Sequence, residues 1–265
     1  MRIQRVLAPN PGPFTGPGTN TWLLESAGEV VVIDPGPVGD PHLEAIVAAV
    51  GKRQVGAVLV THTHSDHAPL ANPLARQLGV PAYGHASGPD FDPDLRLSEG
   101  SIVSVGEVAL EVIHTPGHSD DHLCFLTGRI LFTGDHIMGG STVMVDDMGP
   151  YVRSLERLQK IELERLYPGH GEEMDHPQEV ISWYIAHRMQ REREILDAIR
   201  GGAMDVDAIV ETVYREVDRS LHPLAARSVT AHLRKLEEDG AIRLEDDGVV
   251  PRQHPPPTTH HSTLT

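Results

Sequence analysis

The heptapeptide Thr-His-Thr-His-Ser-Asp-His at residues 61–67 is the most informative segment of this 265-residue chain. It follows an apolar segment, residues 56–61 (GAVLVT), whose composition predicts a buried strand. A strand end is rigid, and the loop beyond it brings four imidazole or carboxylate side chains within six residues. Zinc and similar divalent ions prefer these ligand types. The heptapeptide therefore predicts a metal site at the end of a strand.

The spacing inside the heptapeptide favours two metal positions. His62 and His64 are two residues apart and can reach the same side of the loop. Asp66 and His67 are adjacent and can then turn toward a second position. The chain has 17 histidines, several of them in short clusters, and this excess also points to metal.

Three further predicted strands end in a turn of small residues followed by a ligand-type side chain. His118 ends the run IHTPGH, Asp135 ends LFTGD, and His170 ends LYPGH. The small residues let the backbone turn sharply. One metal could take three histidines, and a second could take two histidines and Asp66. The two oxygens of Asp135 could bridge them.

The first half of the chain alternates predicted strands and helices, which indicates mixed sheets covered by helices. The predicted strands are 29–34, 56–61, 108–115, 121–127, 129–133 and 165–167. The predicted helices are 41–52, 70–78 and 150–161. The strand at 108–115 is expected to be covered on both faces, and residues 34–37 (Asp-Pro-Gly-Pro) are interpreted as a turn.

The pattern changes near His176. Predicted helices at 178–200, 206–217 and 224–238 precede two short strands within 241–250, an order typical of a winged helix. We therefore predict a catalytic domain at 1–175 and a winged-helix domain at 176–250. Residues 251–265 are rich in proline and are predicted to form a disordered tail.

The ligand motifs resemble those of the metallo-β-lactamase superfamily of binuclear metallohydrolases. The resemblance implies an α/β fold, the αββα metallo-β-lactamase sandwich, followed here by the winged-helix domain. The implied ligands are His62, His64 and His118 on the first metal, Asp66, His67 and His170 on the second, and Asp135 bridging both. Two zinc ions are expected, with manganese or iron as alternatives, and Asp66 is expected to orient the nucleophile and receive its proton. Because β-lactamases of this fold lack the bridging aspartate, Asp135 argues against antibiotic hydrolysis.

Other segments resemble the β-lactamase-like protein 2 group. They are residues 10–15 (NPGPFT), 18–23 (GTNTWL), 114–122 (HTPGHSDDH) and 133–139 (TGDHIMG), together with the C-terminal helices and wing. That group includes an endoribonuclease that cuts single-stranded RNA, and its fungal relatives hydrolyse carrier-bound acyl thioesters. The resemblance implies one of these two substrates. It also makes Asn20 a candidate substrate-binding residue, with the capping of a turn as the equal alternative.

The net charge of the chain limits the kinds of partner that it can bind. The chain carries 22 Lys or Arg against 38 Asp or Glu, a net charge of −16, which argues against a broad basic surface for duplex nucleic acid. Residues 187–250 carry ten basic and fourteen acidic residues, so a lid or packing role is preferred over duplex DNA binding. Arg227, Arg234 and Lys235 could still form a small basic stripe. A non-enzymatic nucleic-acid-binding regulator is the third functional alternative.

Cys124 is the single cysteine, so a disulfide scaffold is excluded and a reducing, cytoplasmic compartment is expected. Its apolar neighbours predict a buried structural thiol. No apolar stretch is long enough to span a bilayer, and neither a signal peptide nor a transit peptide is expected. His114, His122 and His136 flank the site and are expected to support ligands or to pack. The sequence leaves the oligomeric state open.

Overall fold

The computed structural model describes residues 1–140, 142–245 and 248–251, which form two compact units. The first unit comprises residues 1–145 and 150–185, and the second comprises residues 146–149 and the described residues from Ala186 onward. The predicted turn at Asp246 and Asp247 and residues 252–265 of the predicted tail lie outside the described residues. Pro251, the first residue of the predicted tail, belongs instead to the last described strand.

Two six-stranded mixed sheets form the centre of the first unit. The first sheet contains, in spatial order, β1 (Arg2–Leu7), β2 (Asn20–Ser26), β3 (Glu29–Ile33), β4 (Gln54–Leu59), β5 (Ala82–Gly84) and β6 (Leu95–Arg96). The second contains β7 (Ile102–Val105), β8 (Val108–His114), β9 (Leu123–Thr127), β10 (Ile130–Gly134), β11 (Arg165–Pro168) and β12 (Met174–Asp175). Strands β3 and β4 are parallel, as are β10 and β11, so the C-terminal ends of each pair lie at one edge of their sheet.

The two sheets enclose an apolar core because alternate side chains of each strand point inward. The core includes Trp22, Leu24, Val31, Ile33 and Leu59 from the first sheet and Leu110, Val112, Phe125, Phe132 and Tyr167 from the second. Strand β8 shows the alternation, since Leu110 and Val112 are buried while Ala109 and Glu111 are exposed. The prediction that both faces of this strand are covered is therefore wrong for its first part, where the outer face meets solvent at Ala109 and Glu111, whereas Ile113 on the same face is buried.

Helices flank the sheets of the first unit. Side chains of α1 (Asp40–Val50) and α2 (Ala71–Leu78), including Ile46 and Leu74, form a second apolar cluster with Val30, Val32 and Val58. Helix α3 (Met148–Leu158) buries Tyr151 and Leu155, and the start of α4 (Pro177–Arg200) buries Ile181 and Tyr184. The mixed α/β architecture with two sheets, predicted from the sequence, is confirmed.

The second unit contains the rest of α4 with α5 (Val206–Val213), a 3-10 turn (Arg219–Leu221), α6 (His222–Glu238) and the paired strands β13 (Ile242–Glu245) and β14 (Gly248–Pro251). Its core is formed by Ile195, Ile199, Ile209, Val229, Leu233, Leu236 and Ile242. Asp205 caps α5 by accepting the Ala208 N–H. Three helices and a hairpin confirm the predicted winged helix, although α5 ends at Val213 rather than at residue 217. None of the described helices meets the length and hydropathy needed to cross a bilayer.

The ligand-type residues of the first unit follow the C-terminal ends of strands. Thr61 and His62 lie just beyond β4, Asp135 directly follows β10, and His170 lies two residues beyond β11. The Leu123 N–H donates to the Thr61 carbonyl at 2.7 Å, which joins the two sheets at this edge. The fold thereby brings distant segments of the chain to one place.

Candidate metal centre

Three imidazoles converge at the first predicted metal position. His62 Nε2 and His118 Nε2 each lie 3.0 Å from His64 Nδ1, and they lie 3.3 Å from one another. A tetrahedral zinc with Zn–N distances of about 2.0–2.1 Å places its ligand nitrogens roughly 3.3 Å apart. The three nitrogens therefore fit one tetrahedral ion.

The second predicted position is surrounded by Asp66, His67 and His170. His170 Nε2 lies 3.1 Å from Asp66 Oδ2 and 3.2 Å from His67 Nε2. His67 Nε2 lies 3.4 Å from the same carboxylate oxygen. Two imidazole nitrogens and one carboxylate oxygen thus form a compact set of donors that also fits a divalent ion.

Asp135 contacts both groups of ligands. Its Oδ1 lies 3.3 Å from His67 Nε2, while its Oδ2 lies 3.3 Å from His170 Nε2 and 3.7 Å from His118 Nε2. Oδ1 is buried and accepts no hydrogen bond from the described residues. An unsatisfied buried carboxylate oxygen is costly, and a bridging cation would satisfy it. The clusters are therefore able to bind two metal ions, and the donor set present fits them.

Four of the histidines direct Nε2 toward the cluster because an oxygen atom faces Nδ1. The Nδ1 partners are Thr61 Oγ1 for His62 at 3.0 Å, Asp34 Oδ2 for His67 at 3.0 Å, the Met144 carbonyl for His118 at 2.7 Å and the Gly18 carbonyl for His170 at 3.2 Å. Thr61 Oγ1 donates its own hydrogen to Asp34, so it accepts from His62. In the neutral imidazole each Nδ1 then carries the hydrogen, and the lone pair that a metal would take lies on Nε2. Where neighbouring carboxylates raise the pKa of the ring, as at His67 and His170, a metal would displace the proton from Nε2.

Asp34 supports the candidate ligands, a role that the sequence analysis did not predict, since it placed this residue only at the junction of a strand and a turn. It is buried, and its backbone adopts a left-handed conformation with φ 51°. Oδ1 accepts the Thr61 N–H, and Oδ2 accepts both Thr61 Oγ1 and His67 Nδ1. The signal in the sequence was an acidic residue placed directly after the apolar run of β3.

The charges of the cluster favour the deprotonated carboxylates, which are the forms that bind a metal. Burial raises the pKa of Asp135, but His67 and His170 outweigh it and hold this pKa well below its ordinary value. The same two histidines outweigh burial at Asp66 and lower its pKa. Burial lowers the pKa of His170, yet Asp135 and Asp66 raise it to about 9. Burial and the charge of His67 lower the pKa of His62 well below its ordinary value.

Asn20 is fully buried beside the loop that carries His170. Its Nδ2 donates to the Pro168 carbonyl at 3.0 Å and to the Gly171 carbonyl at 2.8 Å. The amide therefore fixes the backbone on both sides of His170. Contact between Asn20 and a substrate stays a prediction.

The flanking histidines support the cluster or pack against other rings. His122 accepts the Asp135 N–H at Nε2, 3.1 Å away, and its Nδ1 lies 2.8 Å from Thr115 Oγ1. His136 is buried with its ring 4.7 Å from that of Tyr151. The His114 ring stacks on His85 at 4.5 Å. Within the described part of the chain, the candidate metal groups contain none of these three flanking histidines.

Cys124 is buried, as predicted. Burial raises the pKa of its thiol to about 12. A thiol with this pKa holds its proton at neutral pH and is a poor nucleophile. The chemistry of the site therefore belongs to the histidine and aspartate cluster.

Comparison with known proteins agrees with this geometry. Residues 14–170 match the model of the Metallo-beta-lactamase superfamily, and residues 206–252 match the Beta-lactamase associated winged helix domain. The chain is 34% identical to a beta-lactamase-like protein 2 homologue of Drosophila melanogaster, covering 91% of this chain and 90% of the relative. It is 31% identical to an atrochrysone carboxyl ACP thioesterase of Cryptosporiopsis sp., covering 92% of this chain and 82% of that protein.

A solved structure shows the same fold over nearly the whole length. The crystal structure of a metallo-beta-lactamase family protein from Thermus thermophilus matches with a TM-score of 0.79 at 22% identity. The match covers 94% of this chain and 98% of that structure. The chain therefore belongs to the metallo-beta-lactamase superfamily and is a metal-dependent hydrolase with a C-terminal winged-helix domain.

Proposed function

We propose that the chain cleaves single-stranded RNA at a binuclear zinc centre. The observation that carries the proposal is the convergence of seven side chains. Six of them form two groups of three with their ligand atoms at metal-binding spacing, and the seventh, Asp135, contacts both groups. Two divalent ions, when bound, polarise the scissile group and activate a water at neutral pH. Manganese and iron are the alternative metals, and a measurement of bound metal decides among them.

The exposure of the ligands defines the side from which substrate approaches. His64 is exposed and the Asp66 side chain is a quarter exposed, whereas the other five ligands are buried. Substrate therefore reaches the centre on the side of His64 and Asp66. This exposure supports a role for Asp66 next to the reacting group.

Asp66 is the residue to which we assign proton transfer. Thr19 Oγ1 donates to its Oδ2 at 3.3 Å, and His170 Nε2 lies 3.1 Å from the same oxygen. Asn10 holds the threonine in turn, because its Nδ2 donates to Thr19 Oγ1 at 3.0 Å. These contacts hold Oδ2 in place, and Oδ1 then orients the attacking water and accepts its proton.

The winged-helix unit and the similarity to beta-lactamase-like protein 2 homologues support RNA as the substrate class. Duplex DNA stays disfavoured, because Lys235 is mostly buried and pairs with Glu192 at 2.9 Å and Asp239 at 2.6 Å. Arg227 is exposed but pairs with Asp146 at 3.0 Å, so the predicted basic stripe on α6 is reduced chiefly to the exposed Arg234. A cytoplasmic location is part of the same proposal and rests on the unpaired Cys124.

Hydrolysis of an acyl thioester is the second candidate. The similarity to an atrochrysone carboxyl ACP thioesterase over 92% of this chain favours it. The same cluster can activate water against a thioester carbonyl, with a thiolate as the leaving group. The net charge of −16 opposes docking of an acidic carrier protein, so a small acyl thioester fits better.

Parallel assays on one preparation of measured metal content test the proposal. A fluorogenic single-stranded RNA and a small acyl thioester are compared, with Asp135→Ala as the blank. We expect RNA cleavage that disappears in the variant and RNA binding that weakens steeply with salt. Thioester hydrolysis without RNA cleavage would replace the first proposal with the second. RNA binding that survives removal of His62 and His64, without turnover, would identify a non-enzymatic regulator.

A further inference from the structure

The two adjacent aspartates of the segment His118-Ser119-Asp120-Asp121-His122 have different surroundings. Asp120 is exposed. Its backbone carbonyl, rather than its carboxylate, lies 2.8 Å from His114 Nε2. Asp121 is only half-buried, yet both of its carboxylate oxygens are used. This difference gives Asp121 a function that Asp120 does not share.

Asp121 connects the two loops that supply the first group of ligands. Its Oδ2 accepts the Thr63 N–H at 2.9 Å, and Thr63 stands between His62 and His64. Its Oδ1 accepts the Ser119 hydroxyl at 2.7 Å, and Ser119 directly follows His118. One carboxylate therefore ties the segment that carries His62 and His64 to the segment that carries His118.

The contact adds to a backbone hydrogen bond that already joins the two segments. The Leu123 N–H donates to the Thr61 carbonyl at 2.7 Å, where the segment after β4 meets the start of β9. Two residues further along the first segment, the Thr63 N–H meets the Asp121 carboxylate instead of a carbonyl. The side chain thus replaces a backbone acceptor at the point where the chain turns to present His64.

Thr63 is confined on its other side by Gly88. A Cβ added at Gly88 would lie 2.6 Å from Thr63 Cβ, so the two residues pack closely. Thr63 is therefore held by Gly88 on one side and by Asp121 at its backbone. His62 and His64 are the two chain neighbours of this held residue.

We propose that Asp121 is a positioning residue that preorganises His62, His64 and His118 for one of the two metals. This inference rests on the proposed binuclear function. A residue that holds metal ligands in place changes metal affinity by roughly 10–100-fold when it is removed. Because Asp121 contacts Thr63 and Ser119, the chain neighbours of His62, His64 and His118, its loss should weaken one metal and spare the other.

The experiment compares three variants of the full-length protein. Asp121→Ala removes the acceptor, Asp121→Asn keeps an amide oxygen for the Thr63 N–H, and Asp120→Ala is the matched control. Zinc affinity is measured for each equivalent by competition with a chromophoric chelator. Hydrogen exchange of the peptide containing residues 61–67 is measured with and without a chelator.

We expect Asp121→Ala to bind one zinc at least tenfold more weakly and the other as in the wild type, with faster exchange at 61–67. Asp121→Asn should recover most of the affinity, and Asp120→Ala should match the wild type. Equal effects of the two alanine variants, or wild-type affinity and exchange in Asp121→Ala, would overturn the inference. If the wild type itself binds no zinc, the proposed function is refuted. Hydrogen exchange at residues 61–67 in the presence of chelator, compared between Asp121→Ala and the wild type, would still decide whether Asp121 holds this segment.

Discussion

His67 Nδ1 lies 3.0 Å from Asp34 Oδ2, and both side chains are buried. The other oxygen of Asp34 accepts the backbone N–H of Thr61, the residue before His62. One carboxylate therefore fixes the ring orientation of a candidate ligand from the second group and the strand end that carries a candidate ligand of the first. The two metal positions share a support as well as the neighbour Asp135.

Asp34→Asn should weaken zinc binding by roughly 10–100-fold. Asparagine can offer its oxygen to the Thr61 N–H, but its NH2 group would then face His67 Nδ1. That nitrogen would have to accept a hydrogen bond, which moves the ring hydrogen to Nε2, the atom that faces the metal position. Chelator competition on the purified variant measures the loss.

Asp90→Asn, at an exposed aspartate, is the control for this charge change. It should bind zinc as the wild type does. Wild-type zinc affinity in Asp34→Asn would show that the Asp34 contact does not set the tautomer of His67.

Gly117→Ala should be more destabilising than an ordinary glycine substitution. Gly117 has φ 136°, and a Cβ there would lie 2.4 Å from Tyr151 Cβ and 2.5 Å from Tyr151 Cα. Because the backbone of α3 cannot move aside easily, about 1–3 kcal/mol of overpacking adds to backbone strain of about 1–3 kcal/mol, since a φ of 136° is rarely adopted by any residue except glycine. Urea unfolding at equal m-value measures the difference.

Gly128→Ala separates strain from overlap. Gly128 also has a positive φ, 56°, but an added Cβ would meet nothing within 4 Å. Its cost should be the strain alone, about 1–2 kcal/mol. Equal losses in the two variants would mean that the loop before His118 can move away from α3.

The positions of the ligand-type residues were the most predictable part of the site. Each follows an apolar strand, and glycine precedes Asp135 and His118 directly, so a sharp turn after a rigid element was readable from sequence. The structure brings all seven side chains into three overlapping groups whose ligand atoms lie within 4.8 Å. The supporting residues were not readable in the same way. Asp34 and Asp121 act through contacts with residues 27 and 58 positions away, which no local pattern encodes.

Strands β1, β5 and β6, which the sequence analysis did not predict, escaped it for a different reason. Strands β5 and β6 contain three and two residues, too few to show an alternation of apolar and polar side chains. Strand β1 has a mostly exposed or half-buried pattern because it lies at the edge of its sheet. The long helices were easier to predict, since α4 and α6 extend over several turns with capping or apolar signals.

Zinc should raise the melting temperature of the protein. The cluster holds imidazole nitrogens and carboxylate oxygens at ligand spacing in the folded state only, so the metal binds the native state preferentially. Free zinc at a thousandfold excess over Kd would add about 4 kcal/mol of stability. Differential scanning calorimetry with and without zinc measures the shift.

A variant with His62, His64 and His118 all changed to alanine tests whether the shift comes from the cluster. It should keep only the part of the shift that belongs to the second group of ligands. The full wild-type shift in this variant would locate the stabilising zinc somewhere else on the protein.

The winged-helix unit should lose stability as the pH falls below about 6.5. His232 on α6 is fully buried, with its Nδ1 4.0 Å from the Glu192 carboxylate of α4. Burial lowers the pKa of His232; Arg188 of α4 and Lys235 lower it further, against the raising effect of Glu192. The unfolded chain then binds a proton at a pH where the folded chain does not. The stability is therefore complete above the ordinary value of 6.5 and is lost as the pH falls toward the lowered pKa.

His232→Leu removes the titrating ring and keeps an apolar side chain of similar size. The difference in melting temperature between wild type and variant, followed from about pH 7.5 to 5.5, isolates the contribution of His232. We expect the wild type to lose more stability than the variant over this range. His176→Asn serves as the control, since His176 is exposed and asparagine tolerates its φ of 57°. If His232→Leu retains the full pH dependence, the acid sensitivity belongs to other histidines. Those of the metal cluster are candidates, since protonation and metal binding compete there.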